Sequence, residues 1–294
     1  MKKIKHYEIK LIKIVLSFCL IACALTKDYL KYLTKKISLI CFRNEPLIKI
    51  FIMTHKDFIN FRYNSAYTIV ADDKSELKNK YNLDVIFATE GKFYNKRRGY
   101  GELSKLYYIY QLYKKGEISS KYIGLNHYRR YFEFTDNIPD FEGIFKKYDI
   151  ILGNRVTLNP SVRKRYCVGH ICKNFDDSLD IIKKIKPDYF DTAIEFAKNN
   201  KIYYYNMFIM KKEDFYKYCE FIFDILIEFD KKYNFKSDED VLNYTSKLFK
   251  NAKAALRQSR LQGFLSERLS NIFYIKIFKR IKHFKIGKFS NKTI

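Results

Sequence analysis

Short, almost wholly apolar runs alternate along the chain with longer stretches in which apolar residues recur every three or four positions. The run at 47–53 (LIKIFIM) predicts a buried strand ending at Thr54-His55-Lys56. Tyr67–Ala71 (YTIVA) predicts a second strand, closed by Asp72-Asp73, and 85–88 a third. From 101 to 113, Leu103, Leu106, Tyr107, Tyr110 and Tyr113 fall on one side of a helix. The segment 121–126 (KYIGLN) predicts a strand running into His127-Tyr128-Arg129-Arg130, and 148–152 (YDIIL) another. Helices are predicted at 176–185 and 189–197, parted by Pro187. A strand follows at 202–210 (IYYYNMFIM), then helices at 213–229 and 264–273, with a polar stretch at 237–251 left unassigned.

Apolar strands alternating with helices predict an α/β fold built on a largely parallel sheet. In such sheets ligands bind beyond the carboxyl ends of the strands. His55, Asp72, Asp73 and the 127–130 cluster all fall at such ends.

Both termini read differently from the body. Lys2, Lys3, Lys5, Lys10 and Lys13 precede an apolar run at 14–25 (IVLSFCLIACAL), and Lys27, Lys31, Lys35 and Lys36 follow it. Twelve helical residues reach about 18 Å, short of a hydrocarbon core of about 30 Å. The run suits an interfacial helix, with a cleaved leader as the alternative, since Ala22-Cys23-Ala24 resembles a cleavage site. At the other end Tyr274, Ile277, Phe278, Ile281 and Phe284 recur at helical spacing among lysines and arginines. This predicts a basic amphipathic helix, lying on a membrane or packed on the core with a solvated basic face. The expected organisation is therefore a membrane-associated extension at 1–46, one domain at 47–274 and a basic tail at 275–294.

Charge supports that division. The chain carries 57 basic and 32 acidic residues, a net +25. Residues 1–49 hold +8 and residues 250–294 hold +11, leaving +6 on the body between them. A nucleic-acid-binding protein would concentrate its cations on the folded body. Basic ends fit an anionic membrane surface better. The cysteines, Cys19, Cys23, Cys41, Cys167, Cys172 and Cys219, show no C-x-x-C pair and no disulfide framework, which favours a reducing cytoplasmic compartment.

Several residue groups could carry chemistry. Arg129 and Arg130 at a strand end suit a diphosphate, provided the chain turns so that both face one ligand; otherwise one serves a structural ion pair. His127 could bind phosphate, move a proton, ligate a metal or sit buried and hydrogen-bonded. Asp72-Asp73 could hold a ribose hydroxyl or a metal, or simply close a turn. Asn206, inside an aromatic strand, needs hydrogen-bond partners and so braces a loop or contacts substrate. In the segment 260–269 (RLQGFLSERL), Arg260 and Glu267 share one helix face, Glu267 being a candidate base and Arg268 its orienter or a phosphate contact. No P-loop, G-x-G-x-x-G, G-x-S-x-G or H-E-x-x-H motif occurs.

The strings IKIFIMTHK (48–56), YGELSKLYYIY (100–110), KYIGLNHYRRYF (121–132), YDIIL (148–152), YYNMFIM (204–210), YCEFIFDIL (218–226) and RLQGFLSERLSNIF (260–273) stand in an order that resembles one family. It is the bacterial capsular-polysaccharide-synthesis glycosyltransferase family catalogued as domain of unknown function 4422. The resemblance implies a single GT-A-like nucleotide-binding α/β domain, here with helical N- and C-terminal extensions. It implies sugar transfer from a nucleotide-sugar donor to a lipid-linked or oligosaccharide acceptor, in capsular, lipopolysaccharide or other surface glycan synthesis. Family-like positions are His55, Glu102, His127, Arg129, Arg130, Asn206, Glu267 and Arg268. The expected roles are catalysis for Glu267, His127 and Glu102; donor or phosphate binding for His55, Asp72, Arg129, Arg130 and Arg268; and substrate binding for Asn206 and Arg260. Tyr107, Tyr108 and Tyr110 stand where the family usually shows a tryptophan-rich helix.

Many GT-A enzymes hold a divalent metal, Mg or Mn, on a D-x-D motif, and none follows the 121–126 strand. The expectation is that fixed cations replace or reduce reliance on that metal. The enzyme is expected at the cytoplasmic face of the inner membrane. The competing readings are a non-catalytic, membrane-associated component of a polysaccharide assembly complex and, behind it, a nucleic-acid-binding protein.

Overall fold

Strand β1 (Ile48–Met53) sends side chains to two faces of a sheet, and both faces are buried. Phe51 and Met53 enter one core, while Ile48, Ile50 and Ile52 enter the other. The same division runs through β2 (Tyr67–Ala71), β4 (Tyr122–His127), β6 (Ile150–Leu152) and β9 (Phe208–Lys211). A strand with two buried faces has to be apolar throughout, which is why these segments read as continuous hydrophobic runs.

The computed structural model describes residues 46–55, 65–72, 83–134 and 139–288. The apolar run at 14–25, Lys56 and Asp73 lie outside the described residues. Among the described residues no helix is long and apolar enough to cross a membrane.

With β3 (Asp84–Phe87) and β10 (Ile281–His283), the main sheet runs in the order β10-β6-β9-β4-β1-β2-β3. Only β9 is antiparallel to its neighbours on this path, β4 and β6. Two short strands, β5 (Arg130–Phe132) and β11 (Ile286–Lys288), pair with each other beside β4. Met53 of β1 is in register with His127 of β4, so the strands end together.

The larger core is closed by helices α2 (Glu102–Lys114), α7 (Lys212–Tyr233) and α10 (Leu261–Ile277), and the smaller by α3 (Phe141–Lys147) through Phe141 and Phe145. In α2 the expected stripe is buried at Leu103, Leu106, Tyr110 and Tyr113, with Tyr107 half-buried. The short helix α1 (Arg97–Tyr100) crosses the start of α10, and a Cβ on Gly99 would stand 2.6 Å from Gln262 Oε1. Gly101 links α1 to α2 at φ +57°, a conformation that glycine alone adopts cheaply.

Four segments depart from the sequence-based expectations. The predicted strand at 202–210 is broken: β8 (Lys201–Ile202) stops, and 203–207 leaves the sheet before β9 begins. Side chains of α10 supply the missing backbone partners. Asn271 accepts from Tyr203 N at 2.7 Å and donates to its carbonyl at 2.8 Å, and Glu267 accepts from Tyr205 N at 3.2 Å. The polar stretch at 237–251 contains α8 (Asp238–Leu248), started by a capping box between Ser237 and Asp240. The basic amphipathic helix expected after 274 ends at Ile277, and β10 and β11 follow. Its apolar residues instead complete the sheet edge left open by β6, where the Asp149 carboxylate accepts from the backbone N–H groups of Lys279 and Arg280 at 3.2 and 2.9 Å. Finally, Cys167 and Cys172, expected unpaired, are joined by a disulfide at the corner between α4 (Val162–Gly169) and α5 (Cys172–Ile185).

Candidate active site

The carboxyl ends of β1, β2 and β4 open into a cleft of about 450 Å³. His55 follows β1, Asp72 follows β2, and His127 and Arg129 come from the end of β4; Glu102 and Lys105 face them from α2. Arg260, just before α10, closes the rim. Six of the residues expected from the sequence therefore line one cavity: His55, Asp72, Glu102, His127, Arg129 and Arg260.

Arg97 and Arg98, which the sequence reading passed over, line it as well. A buried carboxylate positions their helix. Asp230 pairs with Lys96, accepts from Tyr100 Oη at 2.7 Å and accepts from Gln262 Nε2 at 2.8 Å. Asp238 accepts from the N–H groups of Arg98 and Gly99 at 3.0 and 2.9 Å. The wall is thus cationic: neither Arg98, Arg129 nor Arg260 forms an ion pair with a described carboxylate.

Beside the cleft, Asn206 ties the catalytic candidates together. Its amide donates to Glu102 Oε1 and Ser266 Oγ, both at 2.9 Å, and its carbonyl oxygen accepts from Ser270 Oγ at 2.9 Å. Asn206 and the preceding Tyr205 both sit at positive φ, 51° and 79°. Two consecutive left-handed residues of this kind store strain that the surrounding hydrogen bonds must hold. His127 Nε2 donates to the Tyr205 carbonyl and lies 3.9 Å from Glu102 Oε1. This contact leaves Nδ1 as the acceptor of the neutral ring.

Glu267 stands on the other side of the same loop and is not part of the cleft lining. Its Oε2 accepts from Arg268 at 2.9 Å, and its side chain keeps 20% exposure. Burial and the nearby Glu102 raise its pKa, while Arg268 and His127 pull it down; the net direction is up. Arg268 itself is buried, donates to the Phe264 carbonyl and stacks 5.0 Å from the centre of Tyr166. That placement pairs it with Glu267 and keeps it out of the cleft lining. Arg130 is also outside the cleft, on β5, with its guanidinium 3.9 Å from the Tyr205 ring centre. Neighbouring His170 is pushed down to about 4 by burial and by Arg268, so it stays neutral at ordinary pH.

Each carboxylate of the cleft is engaged. Asp72 pairs with Lys105 at 2.8 Å, Glu102 takes Asn206, and Asp238 takes two backbone amides. Among the described residues there is no group of three or more metal-ligating side chains. Taken alone, the described donors, each committed to another partner, do not form a divalent-cation site.

Residues 49–279 match the family described as domain of unknown function DUF4422. The chain belongs to this family. The DUF4422 fold is similar to that of the apo bifunctional glycosyltransferase WbbM, at 22% identity and a TM-score of 0.63, covering 84% of this chain. The match covers 46% of WbbM, so this chain spans less than half of that protein. The mannosyltransferase Ktr4p from S. cerevisiae aligns at 11% identity, with TM-scores of 0.30 overall and 0.31 in its GDP complex, over 59% and 73% of this chain and 59% and 66% of that one. Those scores are too low to bear on the fold. No curated protein matches the chain in sequence.

Proposed function

We propose that this protein transfers a sugar from a nucleotide-sugar donor to a growing capsular, lipopolysaccharide or other surface glycan. One observation carries the reading: a cationic cleft at the carboxyl ends of a parallel sheet adjoins a partly exposed glutamate held by an arginine. A departing nucleoside diphosphate needs positive charge fixed where its own charge develops. Arg97, Arg98, Arg129 and Arg260 supply it, with His55 also lining the cleft. The Asp72–Lys105 pair offers a carboxylate to ribose hydroxyls.

In this scheme the acceptor oxygen bonds to the anomeric carbon as the bond from that carbon to the diphosphate breaks. The acceptor proton passes to Glu267, and the diphosphate leaves with the bonding electrons into the arginine wall. The configuration inverts. The raised pKa of Glu267 suits a base. Glu102 and His127 hold the loop between donor and acceptor. The cations do the work that a metal does elsewhere, so no step runs through a divalent ion. We place the enzyme at the cytoplasmic face of the inner membrane, a location supported by the +8 carried by residues 1–49.

The test is to incubate purified protein with a panel of nucleotide sugars and measure nucleoside diphosphate release, with and without chelator. One donor is expected to release diphosphate, faster when acceptor is added and undiminished by chelator. No release and no nucleotide binding would overturn the reading; loss in chelator restored by Mn²⁺ would overturn its metal-free form.

A further inference from the structure

Asp230, near the end of α7, meets three side chains, and each stands beside an arginine of the cleft. Its Oδ2 takes the Lys96 ammonium and the Tyr100 hydroxyl, from the residues that bracket Arg97 and Arg98. Its Oδ1 accepts from Gln262 Nε2 at 2.8 Å, two positions after Arg260. Asp230, Lys96, Tyr100 and Gln262 are all buried. Here α1 and α10 touch: a Cβ on Gly263 would stand 3.6 Å from the Gly99 carbonyl oxygen, and one on Gly99 would meet Gln262. Arg97, Arg98 and Arg260, three of the four arginines lining the cleft, therefore leave the backbone within two residues of a bond to one carboxylate.

A carboxylate that paired with these guanidiniums would cancel the charge a diphosphate needs. Asp230 bonds an ammonium, a hydroxyl and an amide, and no arginine. Asp238 acts in the same way, through the backbone N–H groups of Arg98 and Gly99. A buried ion pair adds little to stability over an apolar pair of the same volume, but its directional bonds can fix one arrangement of the elements it joins. Asp177 is a buried carboxylate without that connection. It takes Tyr233, Lys173 and Lys232, so it ties α5 to α7, and it does not line the cleft.

We propose that Asp230 is the positioning residue of the cationic wall. Through Lys96, Tyr100 and Gln262 it sets where Arg97, Arg98 and Arg260 stand relative to one another, and so how tightly the cleft holds a diphosphate. The proposal rests on the glycosyl-transfer reading and adds to it the buried group on which the anion affinity of the cleft depends.

Asp230→Asn alone would leave the Lys96 ammonium buried without its anion, a change that can unfold the chain. The test therefore uses Lys96→Met/Asp230→Asn, which removes both charges at similar volume, and Gln262→Ala, with Asp177→Asn as the control for a general loss of stability. Each full-length protein is titrated by calorimetry with pyrophosphate, with UDP or GDP, and with the matching nucleoside. A partly unfolded sample loses apparent affinity for all three alike, whereas a displaced arginine wall loses it only for ligands that carry the diphosphate. The expected result is about tenfold weaker binding of pyrophosphate and nucleotide in both variants, as from one or two lost charge-assisted contacts, with nucleoside affinity unchanged and with Asp177→Asn like the wild type. Wild-type diphosphate affinity in either variant, or nucleoside affinity falling in step with it, overturns the proposal. A wild type that binds pyrophosphate but no nucleotide counts against the glycosyl-transfer reading, and the pyrophosphate affinities of the variants still decide the role of Asp230. A wild type that binds neither overturns both.

Discussion

Asn206 gives the most direct test of how the site is held. The residue combines a left-handed backbone, φ 51°, with an amide that joins Glu102, Ser266 and Ser270. Asn206→Ala removes the amide and leaves an alanine at positive φ. The two serines keep other partners, Gly263 for Ser266 and Tyr218 for Ser270. Glu102 loses a hydrogen bond to a charged group, a cost of about 1–3 kcal/mol. The left-handed alanine adds about 1 kcal/mol. Asn206→Gly loses the same hydrogen bonds but adopts the backbone freely, so it should be about 1 kcal/mol more stable than the alanine variant even after its greater unfolded-state entropy. Urea denaturation of the three proteins measures both differences. The transfer rate should fall in both variants, while nucleotide affinity stays near wild type because Asn206 lies outside the cleft lining. An alanine variant within about 0.5 kcal/mol of wild type would show that the network does not hold the loop. A glycine variant no more stable than the alanine one would show that the left-handed turn is not the constraint.

Three further outcomes follow from the site and the sheet edge. Glu267→Gln should lower transfer by about 10²–10⁴-fold and leave nucleotide affinity unchanged, as expected for loss of a general base. Because burial raises the Glu267 pKa above its ordinary 4.5, the carboxylate takes up its proton early as pH falls, and the acid limb of the wild-type rate profile should lie above that value and vanish in Glu267→Gln. Arg129→Ala should weaken nucleoside diphosphate binding by about tenfold in calorimetry, with a shallower salt dependence, whereas Arg130→Ala should leave it unchanged. At Asp149, burial raises the pKa but the bonds from Arg280 and Lys279 outweigh it, so the folded value lies below the ordinary 3.8. The stability it contributes is full above that ordinary value and is lost as pH falls through the folded one. The protection of β10 amides against exchange, taken relative to the intrinsic rate at each pH, should therefore fall in acid before that of β1 does.

The parallel core was legible because burial on both faces leaves its strands little freedom of composition: β1, β2 and β4 are nearly pure apolar runs with polar residues at their carboxyl ends. Half of the cationic wall was not. Arg97 and Arg98 stand in a run, KRRGYGE, that looks like a solvated surface. Their approach to the cleft depends on Asp230 and Asp238, more than 130 positions downstream, and no local pattern encodes that distance. The 203–207 segment misled for a related reason. Its tyrosines favour a strand, but Glu267 and Asn271 take up its backbone groups and tertiary context overrides propensity. Ser237 and Asp240, by contrast, carried a local helix-start signal within three residues. The adjacent arginines show how much depends on a single step of the chain. The turn after β4 leaves Arg129 in the cleft, and one residue later β5 carries Arg130 onto Tyr205. Read as a pair they suggest one diphosphate clamp. Placed by the fold they part company, because the turn between them leaves one guanidinium lining the cleft and seats the other on the Tyr205 ring.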